Sequence, residues 1–170
     1  MKLEDLGGDP LALDRQVCFA LAVASRSVIA LYRPLLEPLR LTHPQYLVML
    51  ALWERSPRSA KDISASLRLD PATLSPLLKR LEALGYLSRQ RSTTDERKLV
   101  VELTPTGQAL RAQAEKIPPA VVERLGMDVS DLLALHQALT GVIAATDALP
   151  PDHVERSDEL ASHEPAQAST

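Results

Sequence analysis

The spacing of apolar and polar residues divides the chain into long helical blocks and one short stretch of a different period. From Leu11 to Leu31 the sequence LALDRQVCFALAVASRSVIAL is rich in helix formers and contains neither Gly nor Pro, which predicts one long helix. Apolar residues cover most of its circumference, so burial is expected on more than one side, in a larger core or against a second subunit. The helix runs past Tyr32 and falters near Pro34 and Pro38, because proline lacks a backbone donor and clashes with the preceding turn. Thr42 then offers an N-cap to HPQYLVMLALWER, with Pro44 in its first turn. Ser59 caps a short helix, KDISASL, with Asp62 in a capping-box position. After a three-residue turn, Arg68 to Asp70, the cap Asp70 and Pro71 open a further helix. Its apolar positions are Leu74, Leu77, Leu78, Leu81 and Leu84, and Gly85 ends it. Two short helices joined in this way fit a helix-turn-helix, whose second helix enters the DNA major groove. The polar face of that second helix presents Thr73, Ser75, Lys79 and Arg80.

The period then changes. YLSRQR, the polar STTDER and the alternating, β-branched KLVVELT predict a β-hairpin, with Arg89, Arg91, Arg97 and Lys98 around its tip. Thr104 and Pro105 start another helix through about Lys116, interrupted by Pro118 and Pro119. Ser130, or Asp128 just before it, caps a last helix, DLLALHQALTGVIAATDAL, before Pro150 and Pro151. The remaining DHVERSDELASHEPAQAST is poor in apolar residues and acidic, and reads as a disordered tail.

Charge sharpens this picture. The net charge of −3 argues against a nucleic-acid partner, yet nine Lys or Arg and five acids fall between Arg58 and Lys98, a local +4, while the rest sums to −7. A local basic patch is all that phosphate neutralisation requires. With 170 residues, 45% of them hydrophobic, the chain is long enough for one core and excludes general disorder. No unbroken apolar run, Tyr46 to Trp53 included, exceeds eight residues, so no membrane span is expected. The acidic N-terminus lacks the pattern of a signal peptide, which makes the cytoplasm the expected compartment. Cys18 is the only cysteine, which excludes an intrachain disulfide, a CxxC pair and a cysteine zinc cluster. His43, His136, His153 and His163 have no metal-ligand spacing, so neither a metal nor another cofactor is expected. His136 reads as a packing or subunit contact, and Trp53 and Phe19 as core.

The order helix, turn, helix and charged hairpin, between long apolar helices, resembles the MarR family of winged helix-turn-helix repressors. Asp95-Glu-Arg97, followed after five residues by Leu103-Thr104 and then Gly107, matches that family's wing signature D-x-R-x(5)-L-T-x-x-G. Asp95 can hold the Arg97 guanidinium by a bidentate pair, so that it projects into a minor groove. The stretches QVCFAL, LYRPLLEPLRLTHPQYLVMLALWE and LDPATLSPLLKRLEALGYLSRQRSTTDERKLVVELT are most similar to the OhrR group of organic-hydroperoxide sensors. The resemblance implies a mainly α fold with a small β-hairpin. It divides into an N-terminal dimerisation and sensor helix (11–40), a winged helix-turn-helix (41–104), C-terminal dimerisation helices (105–149) and an acidic tail (150–170). It implies a homodimer on a pseudo-palindromic double-stranded DNA operator, with DNA contacts from Thr73, Ser75, Lys79, Arg80, Arg89, Arg91, Asp95, Arg97 and Lys98.

In that group a cysteine at the position of Cys18 is oxidised while held across the dimer by two tyrosines. Tyr32 matches one; at the other position stands His43, leaving His43 or Tyr46 as the second partner. A neighbouring hydroxyl or imidazolium would favour the thiolate. With no second cysteine, the chain resembles the one-cysteine type, in which an organic hydroperoxide gives a sulfenic acid that a small thiol caps. Two other readings keep part of this evidence: a MarR-type repressor responding to a non-covalent small ligand, and a thiol-dependent peroxidase using Cys18. The peroxidase reading explains neither the wing signature nor the basic patch.

Overall fold

Capping residues set most of the helix starts. The computed structural model describes residues 9, 11–91 and 99–149. Helix α1 (Val17–Leu36) begins later than its composition predicts, because Leu13–Arg15 form a separate 3-10 turn and Gln16 is extended between the two. The Gln16 side-chain amide donates back to the Ala12 carbonyl at 3.3 Å, across that turn. Pro34 is accommodated in the last turn of α1, and Glu37–Leu39 then tighten into a 3-10 turn that ends at left-handed Arg40. The expected faltering at the two prolines is present.

Helix α2 (His43–Glu54) opens with a reciprocal box in which the Thr42 N–H donates to Gln45 Oε1 at 2.8 Å. Ser59 accepts from the Asp62 N–H at 3.0 Å to start α3 (Ala60–Leu67). Asp70 accepts from the Thr73 N–H at 2.8 Å to start α4 (Pro71–Ala83). Between α3 and α4, Arg68 takes a left-handed conformation. Leu74, Leu78 and Leu81 are buried, while Leu77 and Leu84 are half-buried. Gly85, at φ +74°, closes α4 as expected.

The hairpin strands are longer partners in a sheet of three. In chain order these are β1 (Arg58–Ser59), β2 (Leu87–Arg91) and β3 (Leu99–Leu103), all antiparallel, with β3 central. Leu87 faces Leu103 and Arg91 faces Leu99, which fixes the hairpin register, and Arg58 faces Val101. A two-residue strand is too short to show an alternating pattern, so β1 was not predicted. The core gathers Leu36, Met49, Leu52, Ile63, Leu78, Leu81, Leu87 and Val101. Helix α5 (Pro105–Ala114) follows, and α6 (Ile117–Leu125) starts with Pro118 and Pro119 in its first turn. Those prolines therefore begin a helix rather than only interrupting one, since the first turn has no use for their missing N–H groups.

The chain forms two compact units, one up to Arg124 and one from Leu125 onward. The second holds α7 (Val129–Asp147), which is capped by Asp128 rather than Ser130 and has no buried residue. Leu133 is 59% exposed. In the first unit α1 buries only Leu36, and Phe19, expected in the core, is exposed, because no described residue of that unit covers that face. Both Val17–Leu39 and Val129–Asp147 are long and apolar enough to cross a membrane by length and composition alone. A search for unbroken apolar runs misses them because Arg26 in the one and Asp131 and His136 in the other interrupt the run. The hairpin tip with Asp95, Arg97 and Lys98, and the acidic tail, lie outside the described residues.

Candidate functional site

Burying Leu74, Leu78 and Leu81 turns the opposite face of α4 outward, and Thr73, Ser75, Lys79 and Arg80 are all exposed on it. Thr73 is partly committed, since its hydroxyl donates to Asp70 Oδ2 at 2.6 Å and leaves its oxygen lone pairs outward. The Thr73 hydrogen bonds also hold the Asp70 carboxyl below its ordinary range. The helix start is thus tied to a carboxylate that stays ionised. Beside α4, a groove of about 1000 Å³ between α3, α4 and the sheet is lined by Lys61, Arg68, Leu74, Ser75, Arg89 and Leu99, among others.

Not every basic residue of this region faces outward. Arg58 is buried: its guanidinium donates to the Ala51 carbonyl at 3.1 Å, the Asp62 carbonyl at 3.4 Å and the Ser66 hydroxyl, joining α2 to α3. It contributes nothing to an exposed basic patch. Arg89 lies against Glu82 of α4, with its backbone N–H at 3.1 Å and its Nε at 2.9 Å from the carboxylate oxygens. These hydrogen bonds hold the Glu82 carboxyl below its ordinary range. Arg89 therefore braces the hairpin against α4, while Arg91, at the end of β2, is exposed.

The described part of the wing signature has a plain mechanical role. Thr104 caps α5 by accepting from the Gly107 N–H at 3.1 Å, donates its hydroxyl to the Gly85 carbonyl at 2.6 Å, and donates its N–H to the Tyr86 carbonyl at 3.1 Å. A Cβ at Gly107 would sit 1.9 Å from the Tyr86 carbonyl oxygen. Glycine is required so that α5 can rest on the hairpin's root. The Gly107 carbonyl accepts from the Trp53 indole at 2.9 Å, which extends the brace to α2.

Cys18 is the second residue of α1 and is exposed. Tyr32, on the same helix, meets His43 and Tyr46 of α2: the ring centroids of Tyr32 and His43 are 5.1 Å apart, and those of Tyr32 and Tyr46 6.0 Å. The structure thus brings together three of the four residues expected around the sensor and leaves Cys18 fourteen residues away along one helix, about 21 Å. Burial pushes the His43 imidazole below its ordinary value. At neutral pH it is uncharged, so it does not supply the imidazolium expected to favour a thiolate. Burial, and then the neighbouring Tyr32, pushes the Tyr46 phenol upward.

The family profile described as "Transcriptional regulator SarA/Rot" matches residues 30–113. The organic hydroperoxide resistance transcriptional regulator of Bacillus subtilis is 40% identical over 131 residues, covering 77% of this chain and 89% of that one. This chain belongs to the MarR/SarA family of winged helix-turn-helix transcription regulators. The regulator TtmR of Methylorubrum extorquens is 44% identical over 127 residues, 75% of this chain but only 65% of TtmR's length. Among solved structures, reduced AbfR bound to DNA aligns with a TM-score of 0.67 and 31% identity over 86% of this chain and 99% of that one. These relatives are transcription regulators rather than enzymes. In this MarR-family protein α4 is accordingly the second helix of the helix-turn-helix and β2–β3 the wing. Sequence reasoning missed Glu82, which holds the hairpin to α4 through Arg89, and Arg58, which ties α2 to α3. Neither has a spacing signal, because both act through contacts made only after folding.

Proposed function

We propose that this protein is a homodimeric cytoplasmic repressor that releases a pseudo-palindromic operator when an organic hydroperoxide oxidises Cys18 and a small thiol caps the product. The observation that carries this reading is the placement on α1. Cys18 stands exposed at one end of an uncovered apolar face, and the Tyr32, His43 and Tyr46 cluster stands close to four turns away. Within one chain they cannot meet. Two α1 helices crossing antiparallel near Ser25 would set Cys18 against the partner subunit's Tyr32 and cover the apolar faces at the same time. A solvated subunit has every reason to bury helices as apolar as α1 and α7, and a twofold dimer does so while presenting two reading heads.

The chemistry balances with one cysteine. The Cys18 sulfur attacks the peroxide, an S–O bond forms as the O–O bond breaks, and an alcohol leaves. A small thiol then condenses with the sulfenic acid, giving a mixed disulfide and water. The added volume and polarity in a packed interface cost about 1–3 kcal/mol each, enough to turn the heads away from a spacing fixed by the duplex. On DNA, Thr73, Ser75, Lys79 and Arg80 read the major groove, and Arg91 with Asp95, Arg97 and Lys98 serves the wing. The decisive test compares operator binding by wild type and Cys18→Ser with and without an organic hydroperoxide. Cys18→Ser should bind and stay bound; a variant that still leaves the DNA on treatment sinks the sensor reading. That result would favour a non-covalent ligand instead, for which a cleft of about 380 Å³ lined by Tyr46, Leu50, Trp53 and Arg111 offers one space away from the reading helix.

A further inference from the structure

The chain contains one Trp, three Tyr and one Phe, and three of these five aromatic residues stand in a line. The centroids of Trp53 and Tyr46 are 6.4 Å apart, and those of Tyr46 and Tyr32 6.0 Å. Such separations bring ring edges to or near van der Waals contact. The line runs from inside to outside: Trp53 and Tyr46 are buried, at 8% and 3% exposure, and Tyr32 is half-buried. Tyr86, the remaining tyrosine, is elsewhere, with its hydroxyl donating to the Leu39 carbonyl at 3.0 Å. Trp and Tyr are the side chains most easily oxidised by one electron after the sulfur residues, and at neutral pH the phenoxyl is the more stable of the two radicals.

We propose that Trp53, Tyr46 and Tyr32 form a one-electron relay, which carries an oxidising equivalent from the buried indole to Tyr32, where a small thiol removes it. A radical oxidant takes one electron from Trp53, becoming its anion, and the indole N–H stays on the Gly107 carbonyl, so the oxidised ring is the radical cation. That ring then takes an electron from Tyr46, whose phenol gives its proton to water and becomes the phenoxyl. The Tyr46 phenoxyl takes an electron from Tyr32 and a proton from water, while the Tyr32 phenol gives up its own proton. The Tyr32 phenoxyl finally takes a hydrogen atom from the thiol, leaving phenol and thiyl radical. Two features of the site favour this direction. The cleft lined by Tyr46 and Trp53 is open enough to admit water for the proton exchanges, and neutral His43 is a nitrogen base beside Tyr32. The relay rests on the three rings alone and does not depend on Cys18 being the hydroperoxide target; in the proposed dimer the partner subunit's Cys18 would compete with a small thiol for the Tyr32 phenoxyl, and Cys18→Ser leaves the small thiol as the only donor.

Pulse radiolysis of the full-length protein with azide radicals, which oxidise indole in preference to phenol, tests this directly. Because Trp53 is the only tryptophan, its radical absorption has a single origin. The expected result is a first-order decay of the indole radical signal, independent of protein concentration and matched by growth of the phenoxyl signal. Tyr46→Phe should slow that conversion by about tenfold or more, and Tyr86→Phe should leave it unchanged. Tyr32→Phe should keep the first transfer but strand the phenoxyl on buried Tyr46, so that added small thiol quenches it about tenfold more slowly. Far-ultraviolet circular dichroism of each variant confirms that the fold is kept, which the loss of a hydroxyl should allow. Wild-type conversion in Tyr46→Phe, equal slowing in Tyr86→Phe, or quenching in Tyr32→Phe as fast as in wild type would each overturn the relay.

Discussion

Replacing Gly107 by alanine tests the fold at the point where the signature residues meet. The new Cβ would lie 1.9 Å from the Tyr86 carbonyl oxygen and 2.8 Å from its carbon, where ordinary contact begins at 3.4 Å. Both atoms are backbone at the root of the hairpin, so no side chain can swing aside, and α5 must move away. Overpacking of this kind costs about 1–3 kcal/mol. The movement also stretches the Trp53 bond to the Gly107 carbonyl, at 2.9 Å, and leaving a buried indole donor unpaired costs about 1–3 kcal/mol. Against this, alanine gains about 0.5–1 kcal/mol over glycine inside a helix. The expected net loss is roughly 1–5 kcal/mol. Urea unfolding followed by circular dichroism, with both proteins at one fixed concentration, measures it. Helix propensity alone predicts a gain, so an unchanged or raised midpoint refutes the packing argument.

Four further outcomes follow from the geometry. Lys79→Ala and Arg80→Ala should each weaken operator binding and lower the slope of log affinity against log salt by about one, as loss of a phosphate contact requires, and an unchanged slope rules that contact out. Arg89→Ala should instead lower the urea midpoint, because Arg89 is spent on Glu82, and should leave the salt slope near wild type. For His43 the folded-state value lies below the ordinary 6.5, so its contribution to stability is complete above 6.5 and is lost as pH falls through the lowered value. His43→Gln should flatten that acid-side loss in a series of unfolding curves, and an equally steep loss would show that another group causes it. Removing residues 152–170 should leave a dimeric mass and operator affinity unchanged, and a monomeric mass or lost binding would contradict this.

Those elements whose signals are local were legible in the sequence. The caps Thr42, Ser59, Asp70 and Thr104, and the prolines and glycine next to them, act within one turn, so their spacing reports the structure directly. The hairpin was equally plain, because alternation over Leu99–Leu103 is a property of one strand. What failed was non-local or marginal. Strand β1 exists only because β3 offers it partners, and nothing in Arg58–Ser59 announces that. The start of α1 moved to Val17 because Gln16 is held extended by a contact with Ala12, against the propensity of the residues around it.

The site was legible in the same uneven way, for a reason that bears on mechanism. Residue type identified Lys79, Arg80, Arg89 and Arg58 alike as cations, yet the first two face outward and the last two are structural. A cation on a regular helix declares its face through period 3.6, whereas a cation at a strand or a short edge takes its direction from whatever packs there. Bracing of this kind matters for a winged helix-turn-helix reader of DNA. Arg58 ties α2 to α3, Arg89 ties the hairpin to α4, and Thr104 with Gly107 ties α5 to the hairpin's root. A head so tied moves as one piece. If the proposed dimer forms through the apolar face of α1, a change imposed there is delivered as a rotation of the whole head, not absorbed by bending within it. The sequence points to the proposed sensor and to the reading helix separately, but the rigidity that would let one act on the other is built from contacts that only the fold creates.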